Sequence, residues 1–287
     1  MRRRALRQWL VWAGLAVALL YFLAPIAWLL LSSVQPEGDL TAVPPHWIPK
    51  TFTLENFQSF INPALRARLA LPGVASDVGS SLLHSTVIAA SVTVSNLLLG
   101  VPAAYTFARM RGRVLSLGYL ALLVMRMVPA VAIVIPFYLT MRNLGLIGSY
   151  PSVILAHSAF TLPLVVWILR GFFVGIPPDL EDAARIDGCT RLGALWRVIM
   201  PLVTPGLVSA AVYAFMFSWN EFFFSLVLTA ATHIKTVPVV AALFASDIML
   251  KYGVMNAAAV VAVIPPVVLT ILFSRYLRKG LVTGALK

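Results

Sequence analysis

Six apolar runs, each long enough to cross about 30 Å of hydrocarbon as a helix, constrain this chain more than any other feature. They are Trp9–Leu31, Leu82–Ala108, Val114–Thr140 interrupted only by Arg126, Asn143–Leu169, Val198–Ile234 interrupted only by Glu221, and Tyr252–Ser274. In lipid every backbone polar group must be satisfied inside the protein, so such runs fold as helices unless they alternate strictly enough to close a barrel. No strict alternation over about 10 residues occurs here. With 60% hydrophobic and only 11% charged residues, the composition lies outside that of soluble domains. The fold class is therefore all-α and integral to a membrane. The spans are placed at 9–31, 82–108, 114–140, 148–172, 204–230 and 252–274, between a basic segment at 1–8 and a tail at 275–287.

Lysine and arginine orient the bundle, since cationic flanks stay on the cytoplasmic side during insertion. With the N-terminus inside, fifteen of the 22 basic residues fall on inner segments, among them Arg2, Arg3, Arg4, Arg109, Arg113, Arg185, Arg191, Arg278 and Lys279. Six fall outside (Lys50, Arg66, Arg68, Arg142, Lys235, Lys251). Both termini are expected to be cytoplasmic. The net charge of +12 is explained by these topogenic arginines, so no nucleic-acid partner is inferred. The first run is longer than the 7–15 residue apolar core of a cleaved signal and reads as a retained anchor. Cys189 is the single cysteine and has no disulfide partner.

Between the first two spans, residues 32–81 form a proline-rich extracytoplasmic segment with Trp47, Phe52, Phe57 and Phe60. Turns and short interfacial helices are expected there, in contact with lipid. The inner loop at 177–201 is different. Pro177 and Pro178 stop the preceding span, and Asp179 is placed to cap a helix over about 180–187 whose first turn carries Glu181 and Asp182. Gly188 suits its C-terminal cap, and Thr190 can cap a second helix carrying Leu192, Leu195, Trp196, Val198 and Ile199 before Pro201. A charged helix–turn–helix between two spans is a docking surface for a soluble partner. Its small residues, Ala183 and Ala184, would allow close backbone approach.

That loop resembles the EAA loop of the membrane subunits of ATP-binding-cassette importers, a pattern of E-A-A-x3-G-x9-I-x-L-P. Asp182, Ala183, Ala184, Gly188 and Pro201 keep the spacing, while Asp182 replaces glutamate, Val198 isoleucine and Met200 leucine. Further blocks are similar to the carbohydrate branch, in particular the maltose-type second permease. They are Pro45–Pro49 with Thr53–Phe57, Gly100–Arg109, Arg126–Pro129 through Ile135–Pro136, Trp219–Phe223, and the terminal Lys279–Lys287. The resemblance implies a type I importer permease fold in a bacterial or archaeal inner membrane. It also implies two ATPase subunits below a permease pair, with ATPase docking on Glu181, Asp182, Ala183, Ala184, Gly188, Leu192, Trp196 and Pro201 of this chain and tail contacts from Thr283, Gly284 and Ala285. A second homologous permease, making a heterodimer, and an extracytoplasmic solute-binding protein complete the implied assembly. The implied substrate is a sugar, oligosaccharide, polyol or sugar phosphate.

The chain contains no Gly-Lys dipeptide and hence no phosphate-cradling G-x-x-x-x-G-K-[ST] loop. ATP and magnesium are therefore assigned to the partner subunits, and no cofactor to this one. The four histidines, His46, His84, His157 and His233, lack metal-ligand spacing, so no metal site and no catalytic residue is assigned. Charges within spans cost at least about 2.5–3.5 kcal/mol and face protein or water. Glu221, with Trp219, Asn220 and Phe223, and Arg126 are accordingly candidates for a substrate path, or else for polar contacts between helices. Pro102, Pro136, Pro163, Pro265 and Pro266 are either hinges or packing kinks. An ion-coupled secondary transporter, an importer permease for a non-sugar solute, and a membrane-bound enzyme or assembly factor remain alternatives at this level.

Overall fold

The apolar runs fold into helices wherever their length allows, and bend or break where proline or charge interrupts them. The computed structural model describes the backbone of residues 2–44, 46–71, 73–229, 232–246 and 251–285. Side chains are described for the same residues except 2–7, 74, 245–246 and 275–285. Among the described residues there is no strand. Four helices are long and apolar enough to cross a membrane (Gln8–Ser33, Asp77–Arg109, Tyr150–Val174 and Tyr252–Ser274), or up to six if two bent helix pairs each count as one span. The chain divides into two compact units, Met1–Gly79 with Val240–Ile264, and Ser80–Val239 with Pro265–Lys287.

In the first unit, α1 (Arg2–Ser33) carries the apolar side chains of residues 9–27 bare, and the most apolar window of Gln8–Ser33 has no buried share. Such a surface requires lipid or another chain. The segment that follows holds three short helices, α2 (Glu37–Leu40), α3 (Glu55–Gln58) and α4 (Pro63–Arg68), and a 3₁₀ turn at Gly73–Ser76. The Asn62 side chain caps α4 by accepting from Ala64 N and Leu65 N. Asn56 donates to the carbonyls of Ser33 and Gln35 at 3.0 and 2.9 Å, and a Cβ on Gly253 would lie 2.7 Å from its amide nitrogen. Glu37 accepts from Tyr252 N and Gly253 N, both at 3.0 Å, which caps the last helix.

The second unit is built on α5 (Asp77–Arg109), whose first three residues lie in the first unit, α6 (Arg113–Met125), α7 (Ala130–Asn143) and α8 (Tyr150–Val174). The loop helices α9 (Asp179–Ile186), α10 (Arg191–Ala194) and α11 (Met200–Leu202) follow, then α12 (Thr204–Asn220), α13 (Phe223–Thr229) and α14 (Val237–Ser246), which passes into the first unit. The run at 114–140 is two helices rather than one, since α6 and α7 meet at 96°. Pro129 supplies no N–H and disfavours helical geometry at Val128, so the chain restarts with Pro129 as the extended N-cap of α7. The run through 204–230 also breaks, where Glu221 turns extended at ψ 122° between α12 and α13. One core gathers Val101, Ala104 and Tyr105 of α5, Val165, Leu169 and Phe173 of α8, Leu195, Ile199 and Val203 from the loop, and Ala210 and Ala214 of α12. Gly206 lets α12 approach α8 so closely that a Cβ there would meet the Phe172 ring at 2.4 Å. The final helix, α15 (Tyr252–Ala285), begins in the first unit and ends in the second.

Candidate functional site

The charged loop is shaped by local signals. Three acidic residues, Asp179, Glu181 and Asp182, fill the first turn of α9, where the helix dipole favours them. Asp179 is the first helical residue rather than the cap. Pro178 occupies that position at φ −58° and makes no side-chain cap bond, because its hydrocarbon ring carries no acceptor, while its fixed φ suits the start of a helix. At the other end Gly188 N donates to Arg185 O at 3.1 Å and Cys189 N to Ala184 O at 3.0 Å. With Gly188 at φ +88° this is a Schellman cap. Thr190 caps α10 by accepting from Gly193 N at 3.1 Å. The helix then widens into a π turn at Leu195–Ile199, which turns both Leu195 and Ile199 into the core.

The two faces of the loop differ sharply. Asp182, Ala183, Gly188 and Pro201 are exposed, and so are large apolar groups: Ile186 is 87% exposed, Leu192 68% and Trp196 59%. Large apolar side chains exposed on an otherwise charged loop form the kind of patch that marks an interaction surface. Ala184 is buried and Glu181 is only 6% exposed. Glu181 therefore does not share the outer face. Its Oε1 accepts a short hydrogen bond from the Tyr105 hydroxyl, its Oε2 lies 3.3 Å from Arg109 Nε, and Arg191 Nε stands 3.6 Å from Oε1. Arg109 also donates to the Ile176 carbonyl at 3.0 Å.

The second cluster lies where α12 breaks. The Glu221 carboxylate accepts from Phe224 N at 2.8 Å and Ser225 N at 3.0 Å, capping α13. It also stands 2.9 Å from His157 Nε2. His157, on α8, is 1% exposed and bonds Ser218 through Nδ1 at 2.8 Å and Ser225 through Nε2 at 3.2 Å. Trp219 is buried and stacked on Phe215 at 5.7 Å. Asn220 is exposed and donates to Met216 O of its own helix, and Phe223 packs edge-on to Phe224. Arg126 sits elsewhere, at the α6–α7 break. It donates to the Tyr213 hydroxyl at 2.7 Å and lies 5.8 Å from the ring centres of both Tyr213 and Phe217 on α12. Among the described residues no ion pair joins Arg126 to Glu221.

Tyr105, Arg109, Arg191 and His157 were not among the sequence-derived site residues. Tyr105 and Arg109 do carry a signal, being one helical turn apart at the end of an apolar run. His157 in a long apolar helix carries none without its partner. The side chains of Thr283, Gly284 and Ala285 lie outside the described residues, as do Pro45, Leu286 and Lys287. Among the described residues no group of three or more His, Cys, Asp or Glu side chains is arranged to hold a metal.

Together these features define a helical membrane protein with a loop latched to its bundle on one face and open on the other. Residues 96–283 match the family of binding-protein-dependent transport system inner membrane components, and the chain belongs to that family. It is 35% identical to the trehalose transport system permease protein SugB of Mycobacterium tuberculosis, an alignment covering 100% of both chains. It is 33% identical to the sulfoquinovosyl glycerol transport system permease protein SmoH of Agrobacterium fabrum, over 95% of this chain and 91% of that one. The fold is shared with a chain in the crystal structure of a bacterial ABC transporter involved in the import of the acidic polysaccharide alginate. That match has a TM-score of 0.75 at 20% identity and covers 96% and 98% of the two chains.

Proposed function

We propose that this chain is the permease subunit of an ATP-binding-cassette importer that carries a carbohydrate across the inner membrane. The observation that carries the reading is the open face of the loop, where Asp182, Ala183, Ile186, Leu192 and Trp196 are exposed together at the spacing of a coupling loop. Two ATPase subunits bind below the permease pair, and this chain offers the docking surface Asp182, Ala183, Gly188, Leu192, Trp196 and Pro201, with Thr283, Gly284 and Ala285 of the tail as further contacts. The loop and both termini are cytoplasmic, in accord with the distribution of arginine and lysine. A second, homologous permease pairs with this one as a heterodimer, and an extracytoplasmic binding protein delivers the substrate. Relatives named for trehalose and for sulfoquinovosyl glycerol support the carbohydrate class.

The helix breaks at Arg126–Pro129 and at Glu221 support a substrate path between them, because broken helices within a membrane line cavities rather than lipid. Among the described residues the Arg126 guanidinium donates to Tyr213 alone, beside the Tyr213 and Phe217 rings, and its further donors together with those rings suit hydroxyl groups and the apolar faces of a sugar. Trp219, Asn220, Glu221 and Phe223 shape the other break. Affinity purification from native membranes in mild detergent tests the assignment. The expected result is recovery of an ATPase and a second permease, with ATP hydrolysis stimulated by a sugar-loaded binding protein. A chain that purifies alone in several detergents would refute it.

A further inference from the structure

We propose that Glu181, Tyr105 and Arg109 form a strut that transmits displacement of the loop to α5, and that they are positioning residues for coupling rather than contacts of the ATPase. The proposal rests on the reading of the loop as an ATPase docking site. The connection from α8 to α9 runs only from Gly175 to Pro178, and Leu195, Ile199 and Val203 further along the loop pack against α5 and α8 in the core, but a direct link from α9 to α5 has to be made by the side chains of α9. The buried carboxylate supplies one. It accepts from the phenol of Tyr105 and lies 3.3 Å from Arg109 Nε, both on the last turns of α5. Arg109 in turn donates to Ile176 O within the α8–α9 connection at 3.0 Å. One carboxylate and one guanidinium thus join α9, the connection before it and the end of α5.

Two features make this link stiff. The side chains of Glu181 and Arg109 are only 7% and 8% exposed, and separating such a pair would leave a buried charge without its partner. The cluster therefore moves as one body or not at all. The end of α5 is also braced directly to α8, where Arg170 Nε donates to Phe107 O at 3.2 Å and its guanidinium lies 4.6 Å from the Tyr119 ring centre. Displacement of α9 is therefore delivered to α5, a helix of 33 residues.

The test is made on the assembled importer in proteoliposomes with its binding protein, measuring substrate imported per ATP hydrolysed. In Glu181→Gln the ATPase still co-purifies, and the ratio is expected to fall about tenfold, the scale of a single coupling interaction. Tyr105→Phe keeps the ring against Phe173 and removes only the hydroxyl, with an expected fall of about threefold. Uptake and hydrolysis that fall in proportion, or a ratio that stays unchanged, would overturn the strut. A folded Glu181→Gln permease that loses its ATPase would also overturn it, in favour of a direct docking contact. Should Glu181→Gln not assemble, Tyr105→Phe decides by the same ratio. Failure of the underlying reading looks different: the unsubstituted permease then recovers no ATPase, and Asp182→Lys changes nothing.

Discussion

Two carboxylates illustrate how much a single residue's surroundings decide. Glu181 and Asp182 are neighbours in the sequence, yet one is buried among α5 and α10 groups and the other faces out. Asp182→Lys alters the outer face and gives up only an exposed pairing with Arg185 and a favourable place in the first turn of α9, so the permease is expected to fold and to lose most of its co-purified ATPase. Undiminished recovery would remove Asp182 from the docking surface. Glu221 is a third case. Its carboxylate holds both the start of α13 and His157. Glu221→Ala removes the cap of α13 and one of the partners of the buried His157, which keeps Ser218 and Ser225, and should cost about 1–3 kcal/mol, read as a lower thermal midpoint of the purified protein. Asn220→Ala, an exposed position bonded to its own helix, should change stability by less than about 0.5 kcal/mol. Equal midpoints for the two variants would mean that Glu221 does not hold the break. An intramembrane glutamate can be seen in the sequence, but His157 cannot be matched to it, because the contact is made by packing of α8 against the α12–α13 junction.

Helices were the most legible part of the chain, since an apolar run of span length leaves the backbone little choice. Their interruptions were legible only in part. Pro129 announces a bend, yet the angle of 96° between α6 and α7 depends on what each helix packs against. The π turn at Leu195–Ile199 has no local signature, because its reward lies in burying both Leu195 and Ile199 in a core made with α5 and α8. Close approach of elements is equally silent. Gly206 reads as one more small residue, but α12 rests there on Phe172. Gly206→Ala places a methyl at 2.4 Å from that ring and should destabilise by about 1–3 kcal/mol. Phe172→Leu in the same chain should recover part of the loss, and thermal unfolding of the single and double variants checks this. Absence of recovery would mean that the backbone, not the ring, resists. Gly188 offers a contrast, since nothing lies within 4 Å of a Cβ there. Gly188→Ala should cost only the left-handed conformation, about 1–2 kcal/mol, with Gly188→Asn costing less.

At the scale of the molecule, orientation decides whether the loop can meet an ATPase at all. Charge favours a cytoplasmic loop: fifteen of 22 basic residues then fall on the inner side, and cationic flanks are retained during insertion. The exposed Ile186, Leu192 and Trp196 make sense on that side, where a soluble ATPase can cover them. A direct check is built into the chain, because Cys189 is its single cysteine, is free and partly accessible, and sits next to the Gly188 cap of α9. A membrane-impermeant maleimide should leave the permease unlabelled in intact cells and label it in inverted membrane vesicles from which the ATPase has been stripped. Restoring the ATPase should slow the reaction, as the open face is covered. Labelling from outside intact cells would reverse the orientation. The docking surface, the cytoplasmic termini and the strut beneath the loop would then all have to be given up together.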